Sequence, residues 1–171
     1  MAITKIQSES LNLADTYAFT GTVTGAGGVN TPAFHARVNS ANSTTDNVET
    51  KISFGTEVFD TDSAYDTSTS KFTVPSGKAG KYFIYARVRV DSATDSEIYD
   101  IKIFKNGTSV AVGVNWHHGY SKNYEVSTVV DLNGSTDYIE GYVFHNYGSD
   151  RSSEFDSTGT ICYMMGYKII E

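Results

Sequence analysis

The sequence lacks several features that whole classes of protein require. Its 171 residues include a single cysteine, Cys162, so an internal disulfide is excluded. Its 13 basic residues are outnumbered by 20 acidic ones and form no cluster, which excludes the basic surface that nucleic-acid binding requires. No run approaches the roughly 18 apolar residues of a membrane helix, and residues 1–15 contain no apolar stretch typical of a secretion signal. We therefore expect no nucleic-acid binding, no membrane insertion, and folding in a reducing cytosol.

Proline and helical periodicity are also scarce, whereas aromatic and small polar residues are plentiful. The chain has only 2 prolines but 12 tyrosines, 9 phenylalanines and 15 glycines. From residue 33 onward, aromatic and β-branched runs alternate with polar segments rich in turn-forming residues, which predicts about eight to ten strands of an all-β sandwich. The polar, glycine-rich residues 1–32 are expected to form an N-terminal arm ahead of this single domain, residues 33–171.

The long strand predicted at residues 81–90, KYFIYARVRV, carries apolar residues on both of its faces. Because side chains alternate along a strand, Tyr82 shares one face with the other even-numbered residues, while Phe83 and Tyr85 share the opposite face. The final run, ICYMMGYKII at residues 161–170, has the same property, and Cys162 within it is expected to be a small buried apolar residue. Since no helix is predicted that could cover a second apolar face, another subunit is expected to cover it.

Two asparagine–glycine pairs predict tight turns. The pairs are Asn106-Gly107 and Asn133-Gly134. An Asn-Gly pair between alternating apolar residues is a strong indicator of a two-residue type I′ hairpin turn. Each pair is therefore expected to join two strands that are neighbours in one sheet.

The order of these features resembles the globular head of the C1q/TNF-like family over residues 33–170. The motifs that carry the resemblance are the opening Ala33-Phe34, the corner GKYF at 80–83, the hairpin IKIFKNGTSV at 101–110, and Phe155 ahead of Gly166-Tyr167. The resemblance implies a C1q/TNF-like jelly-roll sandwich of about ten antiparallel strands and a tight homotrimer built on aromatic-rich strands. The side chains expected at the trimer interface are Phe83, Tyr85, Tyr142, Phe144, Tyr163, Met165 and Tyr167.

A second resemblance concerns residues 14–28, ADTYAFTGTVTGAGG. This segment is similar to the one that precedes C1q-like heads in structural proteins of marine tailed bacteriophages. The similarity implies a virion protein, assembled in the cytoplasm of the bacterial host and attached to other virion proteins, of capsid or tail, through residues 1–32. The expected function is that of a non-enzymatic trimeric surface head, either a capsid decoration or a head fibre. The alternative is a trimeric tail-fibre tip, an adhesin that binds host-surface polysaccharide.

One stretch, VNWHHGY at residues 114–120, has the composition of a recognition loop. Exposed aromatic residues stack on sugar rings or on proteins, so Trp116, His117 and Tyr120 are candidate ligand-recognition residues. The competing interpretation is a loop folded against its own sandwich. His117 and His118 are adjacent and would point to opposite faces of a strand, so no metal site is predicted from them.

Three acidic residues, Asp60, Asp62 and Asp66, loosely resemble the start of a calcium-binding loop. An EF-hand loop needs Gly at its sixth position and Glu at its twelfth, where this sequence has Tyr65 and Lys71. The favoured interpretation is a solvated turn whose carboxylates accept local backbone hydrogen bonds, with calcium as the only cofactor considered. The sequence contains no nucleophile motif and no phosphate-binding loop, so enzymatic activity is not expected.

Overall fold

The computed structural model describes residues 29–90, 98–116, 122–155 and 158–169. These residues contain thirteen β-strands and no helix, and thus none that could cross a membrane. The strands are β1 (Ala33–Arg37), β2 (Ser43–Thr44), β3 (Thr50–Lys51), β4 (Thr56–Asp60), β5 (Tyr65–Asp66), β6 (Lys71–Thr73), β7 (Gly80–Val90), β8 (Ile98–Lys105), β9 (Thr108–Trp116), β10 (Lys122–Leu132), β11 (Tyr138–His145), β12 (Arg151–Ser152) and β13 (Tyr163–Lys168).

Two antiparallel sheets form the layers of a jelly-roll sandwich. The front sheet has the order β10-β7-β13-β1-β4, and the back sheet has the order β5-β6-β11-β8-β9, with β3 also paired to β11. A separate small ribbon joins β12 to β2. The all-β prediction is confirmed, and the strand number agrees with it because four of the thirteen described strands are only two residues long.

The core lies between the two sheets, where the alternating side of β7 predicted from the sequence is buried. Tyr82 and Ile84 are completely buried, and the next three even-numbered residues of β7 are at most 1% exposed. Aromatic rings from both sheets fill the space: the centroids of Phe34 and Phe72 lie 4.4 Å apart, and those of Tyr99 and Tyr124 lie 4.5 Å apart. β7 is therefore a central strand of the front sheet. It pairs with β10 over its whole length and with β13 along its other edge.

β13 shows the same alternation, and its inner side is as tightly packed as the sequence predicts. Cys162, just before the strand, is completely buried, and its sulfur accepts a hydrogen bond from the Arg89 backbone N–H at 3.2 Å. Gly166 lies on the inner side of β13, directly against the side chains of Phe34 and Ile84. A side chain at Gly166 would have no room, which explains a glycine within a central strand.

One of the two predicted hairpin turns is confirmed, and the other is wrong. Asn106 and Gly107 have φ values of 52° and 76°, as a type I′ turn requires, and join β8 directly to β9. Asn133-Gly134 instead opens a five-residue crossover, because β10 belongs to the front sheet and β11 to the back sheet. The Asn133 side chain accounts for this shape: its Oδ1 accepts backbone hydrogen bonds from the residues two, three and four positions later.

The N-terminal arm lies almost wholly outside the described residues. The first described residue is Val29, and β1 begins at Ala33. The division into an arm, residues 1–32, and a domain, residues 33–171, therefore stays a prediction.

Replacing Gly166 by alanine should destabilise the fold by about 1–3 kcal/mol, the usual cost of overfilling a packed core. An added Cβ would lie 2.6 Å from Ile84 Cδ1 and 2.8 Å from the Phe83 carbonyl oxygen, which is backbone and cannot move aside. The matched control is Gly55→Ala, whose Cβ would meet only the exposed, flexible Asn39 side chain. Urea unfolding measures both free energies, and an equal effect of the two substitutions would contradict the packing described for β13.

Candidate interaction surface

The outer side of the front sheet carries a continuous set of aromatic and apolar side chains, which we call the aromatic face. The strand registers place its residues in three rows that cross the sheet. From the Gly80 end of β7 toward its Val90 end, the rows are Val129, Phe83 and Tyr167; then Ser127, Tyr85, Met165, His35 and Phe59; then Glu125, Arg87, Tyr163 and Arg37.

Side chains of the aromatic face contact one another, yet several of them remain exposed to solvent. Ring centroids of Phe83 and Tyr167 lie 5.4 Å apart, and those of Tyr85 and Tyr163 lie 5.6 Å apart. Val129, Phe59 and Tyr167 remain 53%, 47% and 36% exposed, respectively. Contiguous exposed apolar surfaces of this kind mark interaction sites in soluble proteins.

Polar groups are concentrated in the third row of the face. The Tyr85 hydroxyl donates a hydrogen bond to Glu125 Oε2 at 2.6 Å. Burial raises the pKa of Tyr85 well above its usual value, and the hydrogen bond to the Glu125 carboxylate raises it further. Tyr85 is therefore neutral over the physiological range and holds the Glu125 carboxylate against the edge of the face.

The seven residues predicted for a trimer interface do not share one surface. Five of them, all on β7 and β13, lie on the aromatic face. Tyr142 and Phe144 lie on β11, in the opposite sheet, with their side chains toward the outer side of the back sheet. Their own subunit already shields them in part: the Phe104 ring lies 4.2 Å from that of Tyr142, and Lys102 Nζ lies 5.3 Å from the centroid of Phe144.

Sequence reasoning missed three of the aromatic and apolar members of the aromatic face: His35, Phe59 and Val129. Alternation in AFHARV and in STVVD does place His35 and Val129 on outer faces, but the alternation alone does not identify which strands become neighbours. Phe59 reaches the face because the pairing of β1 with β4 shifts register between His35 and Ala36. Such a bulge turns an additional side chain of the edge strand toward the face.

A second apolar surface lies on β9, the edge strand of the back sheet. Val110, Val112 and Val114 alternate along the strand and are 41%, 46% and 60% exposed. The residues between them face the interior: Ala111 packs against the core, and a Cβ at Gly113 would collide with the Glu125 carbonyl oxygen. The three valines form a row, which we call the valine edge.

The predicted ligand-recognition residues fall largely outside the described residues. Trp116 is the last residue of β9, and its side chain is not among those described, while His117 and Tyr120 lie in the gap that follows. Their role stays a prediction.

Two of the acidic residues considered for calcium, Asp60 and Asp66, accept hydrogen bonds from nearby residues of the same loop. The Asp60 carboxylate accepts backbone hydrogen bonds from Asp62 and Tyr65, as expected of a solvated turn. Hydrogen bonds from Ser68 and Thr69 lower the pKa of Asp66 to about 2. Among the described residues, no group of three or more His, Cys, Asp or Glu side chains is placed to hold a metal ion.

A cleft of about 430 Å³ lies between the end of β3 and the turn before β6. Lys51 Nζ and Lys71 Nζ lie 2.7 and 3.7 Å from the same oxygen, Oε1 of the nearly buried Glu140. The hydroxyl groups of Ser68 and Thr69 at its rim both donate to the carboxylate of Asp66, the residue paired with Lys71. Both lysines thus contact the same carboxylate, and the two hydroxyl groups are already engaged by Asp66.

Histidine chemistry is not accessible at the buried His145. Its Nε2 lies 3.1 Å from Thr44 Oγ1 and 3.0 Å from the Thr44 carbonyl oxygen. The side chain is completely buried beneath the rings of Tyr99 and Tyr147. No substrate can reach this pair, so its role is to tie β2 to β11.

Comparison with solved structures identifies the architecture. The globular domain of zebrafish complement 1qA protein aligns over 81% of this chain and 97% of its own, with 13% identity and a TM-score of 0.54. Eiger TNF from S. frugiperda aligns over 80% and 91%, with 10% identity and a TM-score of 0.54. Murine APRIL at pH 8.0 aligns over 80% and 98%, with 12% identity and a TM-score of 0.58.

The fold is a C1q/TNF-like jelly roll. The fold prediction is thereby confirmed, and identities this low show the architecture alone. No family model and no curated protein matches the sequence.

Replacing Glu125 by glutamine should lower the pKa of Tyr85, because the change removes a negative charge beside the phenol while an amide oxygen can still accept its hydrogen bond. Tyr82 is the internal control: burial and the charge of Asp62 raise its pKa to about 12, independently of Glu125. Carbon NMR of ring-labelled tyrosine follows both titrations. An unchanged Tyr85 titration would contradict the described contact.

Proposed function

We propose that the protein is a non-enzymatic virion protein of a bacteriophage, in which three copies form a surface head that is attached to the particle through the N-terminal arm. The particle site would be the capsid, as a decoration or a short head fibre. The observation that carries the trimer is the aromatic face, and the virion assignment is supported by the resemblance of residues 14–28.

The energetic case for assembly rests on the amount of apolar surface on the aromatic face. Burying one large apolar side chain fully contributes about 1.5–3 kcal/mol. Val129, Phe59 and Tyr167 are exposed, and Phe83, Tyr163 and Met165 beside them are partly exposed. Covering all of these side chains together offsets the roughly 4–15 kcal/mol that association costs in lost freedom.

The valine edge offers a second surface for the same contact. A closed ring of three copies uses a heterologous interface, in which two different surfaces of each copy meet. The aromatic face belongs to the front sheet and the valine edge to the back sheet, so one copy can present both surfaces at once. We infer that the aromatic face of each copy packs against the valine edge of the next.

Attachment through the arm is compatible with where the described chain begins. Val29 is 75% exposed, and β1 lies beside β4, the edge strand of the front sheet. The chain thus enters the sandwich from its surface, from which residues 1–28 can reach another virion protein. The absence of an internal disulfide accords with assembly in a bacterial cytoplasm.

Val129→Glu or Tyr167→Glu should convert the assembly into separate 18.6 kDa chains, because each places a charge within the covered apolar surface. Tyr138→Glu is the matched control, since this half-buried tyrosine lies on β11 of the back sheet beneath Lys71 Nζ and belongs neither to the aromatic face nor to the valine edge. Sedimentation velocity at micromolar concentration measures all four proteins. The trimer would be refuted if the wild type sedimented as one chain, and the interface would be misplaced if the control alone separated.

Removing residues 1–28 should abolish attachment to the particle while leaving the trimer intact, because every described residue is retained. Labelling of purified virions should place many copies of the full-length protein on the head. A location at the tail only, with purified protein competing for adsorption to cells, would replace the decoration by the adhesin. A truncated protein that still binds particles would contradict the role of the arm.

A further inference from the structure

We propose that His35 makes the assembly acid-sensitive, so that the three subunits separate as this imidazole takes up a proton. The inference rests on the proposed trimer and adds a condition under which it comes apart. It follows from the position of His35 within the aromatic face.

His35 is held between apolar side chains in the middle of that face. Its ring lies edge-on to Phe59, with centroids 6.0 Å apart, and to Tyr163, with centroids 5.2 Å apart. Across the strand pair it faces Met165. Its Nε2 atom is buried and has no hydrogen-bond partner among the described residues, so a proton there would place a charge in an apolar setting without a hydrogen bond from this part of the chain.

The charged groups around His35 disfavour protonation. On its own strand, Arg37 lies two residues along and on the same face, and on β7 the next cation is Arg87. On β10, the carboxylate of Glu125 already accepts the hydrogen bond of Tyr85. Burial lowers the pKa of His35 below its usual 6.5, and the positive charge of Arg37 lowers it further.

The carboxylates of the edge strand β4 do not lie opposite His35, where they could offset the charge of a protonated imidazole. These carboxylates, Glu57 and Asp60, lie opposite Ala36 and Phe34, two residues of β1 that point into the core. On β13, the neighbours of His35 are Met165, which lies opposite it, and the ring of Tyr163.

Assembly is expected to lower the pKa of His35 further, and this determines the sign of the pH dependence. Covering the face with the valine edge removes further water, and the charged neighbours of the valines on β8, Asp100 and Lys102, carry opposite charges that lie 3.9 Å apart. The pKa of His35 is therefore lower in the trimer than in the separate subunit. Because assembly lowers the pKa of His35, the trimer keeps its full stability above the pKa that His35 has in the separate subunit, and it loses stability as the pH falls below that pKa.

Sedimentation equilibrium of the full chain between pH 8 and pH 5 tests the proposal, with His35→Gln as the neutral comparison. The dissociation constant of the wild-type trimer should rise by at least about tenfold, the effect of a one-unit pKa difference, while that of His35→Gln should stay constant. Equal loss of both trimers at pH 5 would overturn the role of His35. A wild-type trimer that is equally tight at both pH values would overturn the proposal and leave the trimer intact. A single chain at pH 8 would overturn both.

A second measurement does not depend on the variant assembling. Nitrogen NMR of labelled histidine gives the pKa of His35 in the wild-type trimer and in the separated Val129→Glu protein. We expect a lower pKa in the trimer, and the proposal is wrong if the two values are equal.

Discussion

The structure depends on the alternation of side chains along β7 and β13, the two central strands of the front sheet. Their inner sides build the core with Tyr82, Ile84 and Met164, all completely buried. Their outer sides carry Phe83, Tyr167 and their neighbours, which are left partly or largely exposed by the described part of the chain. Because the period of a strand is two, neither side can be altered by sliding the strand without exposing the core. The apolar outer face is thus fixed by the same register that forms the fold.

The function that we propose follows from this constraint together with the low chemical reactivity of the rest of the described surface. The histidine that contacts a hydroxyl, His145, is buried in the core, and both lysines of the cleft contact the carboxylate of Glu140. His35 lies in the middle row of the aromatic face, between Met165 and Phe59, and in our proposal it connects assembly to pH from there.

Much of this architecture could be predicted from the sequence, because it depends on local patterns. Alternation in residues 81–90 and 161–170 predicted strands that are apolar on both sides, and Asn106-Gly107 predicted a hairpin through its backbone preference. The hairpin predicted at Asn133-Gly134 was wrong, because the same dipeptide can also begin a loop between two sheets. In that loop the asparagine side chain accepts backbone hydrogen bonds from the residues that follow. Tyr142 and Phe144 could not be assigned to the front or the back sheet, because sheet membership is set by long-range pairing that alternation does not encode.

The most direct test of the account is whether the aromatic face is covered in the native protein. Hydroxyl-radical footprinting, read by mass spectrometry, compares oxidation of individual side chains in the wild type and in the separated Val129→Glu protein at micromolar concentration. The account predicts that Met165 and Tyr167 are oxidised several-fold more slowly in the wild type, while Tyr138 on the back sheet reacts equally in both. Equal oxidation of Met165 and Tyr167 in the two proteins would contradict it.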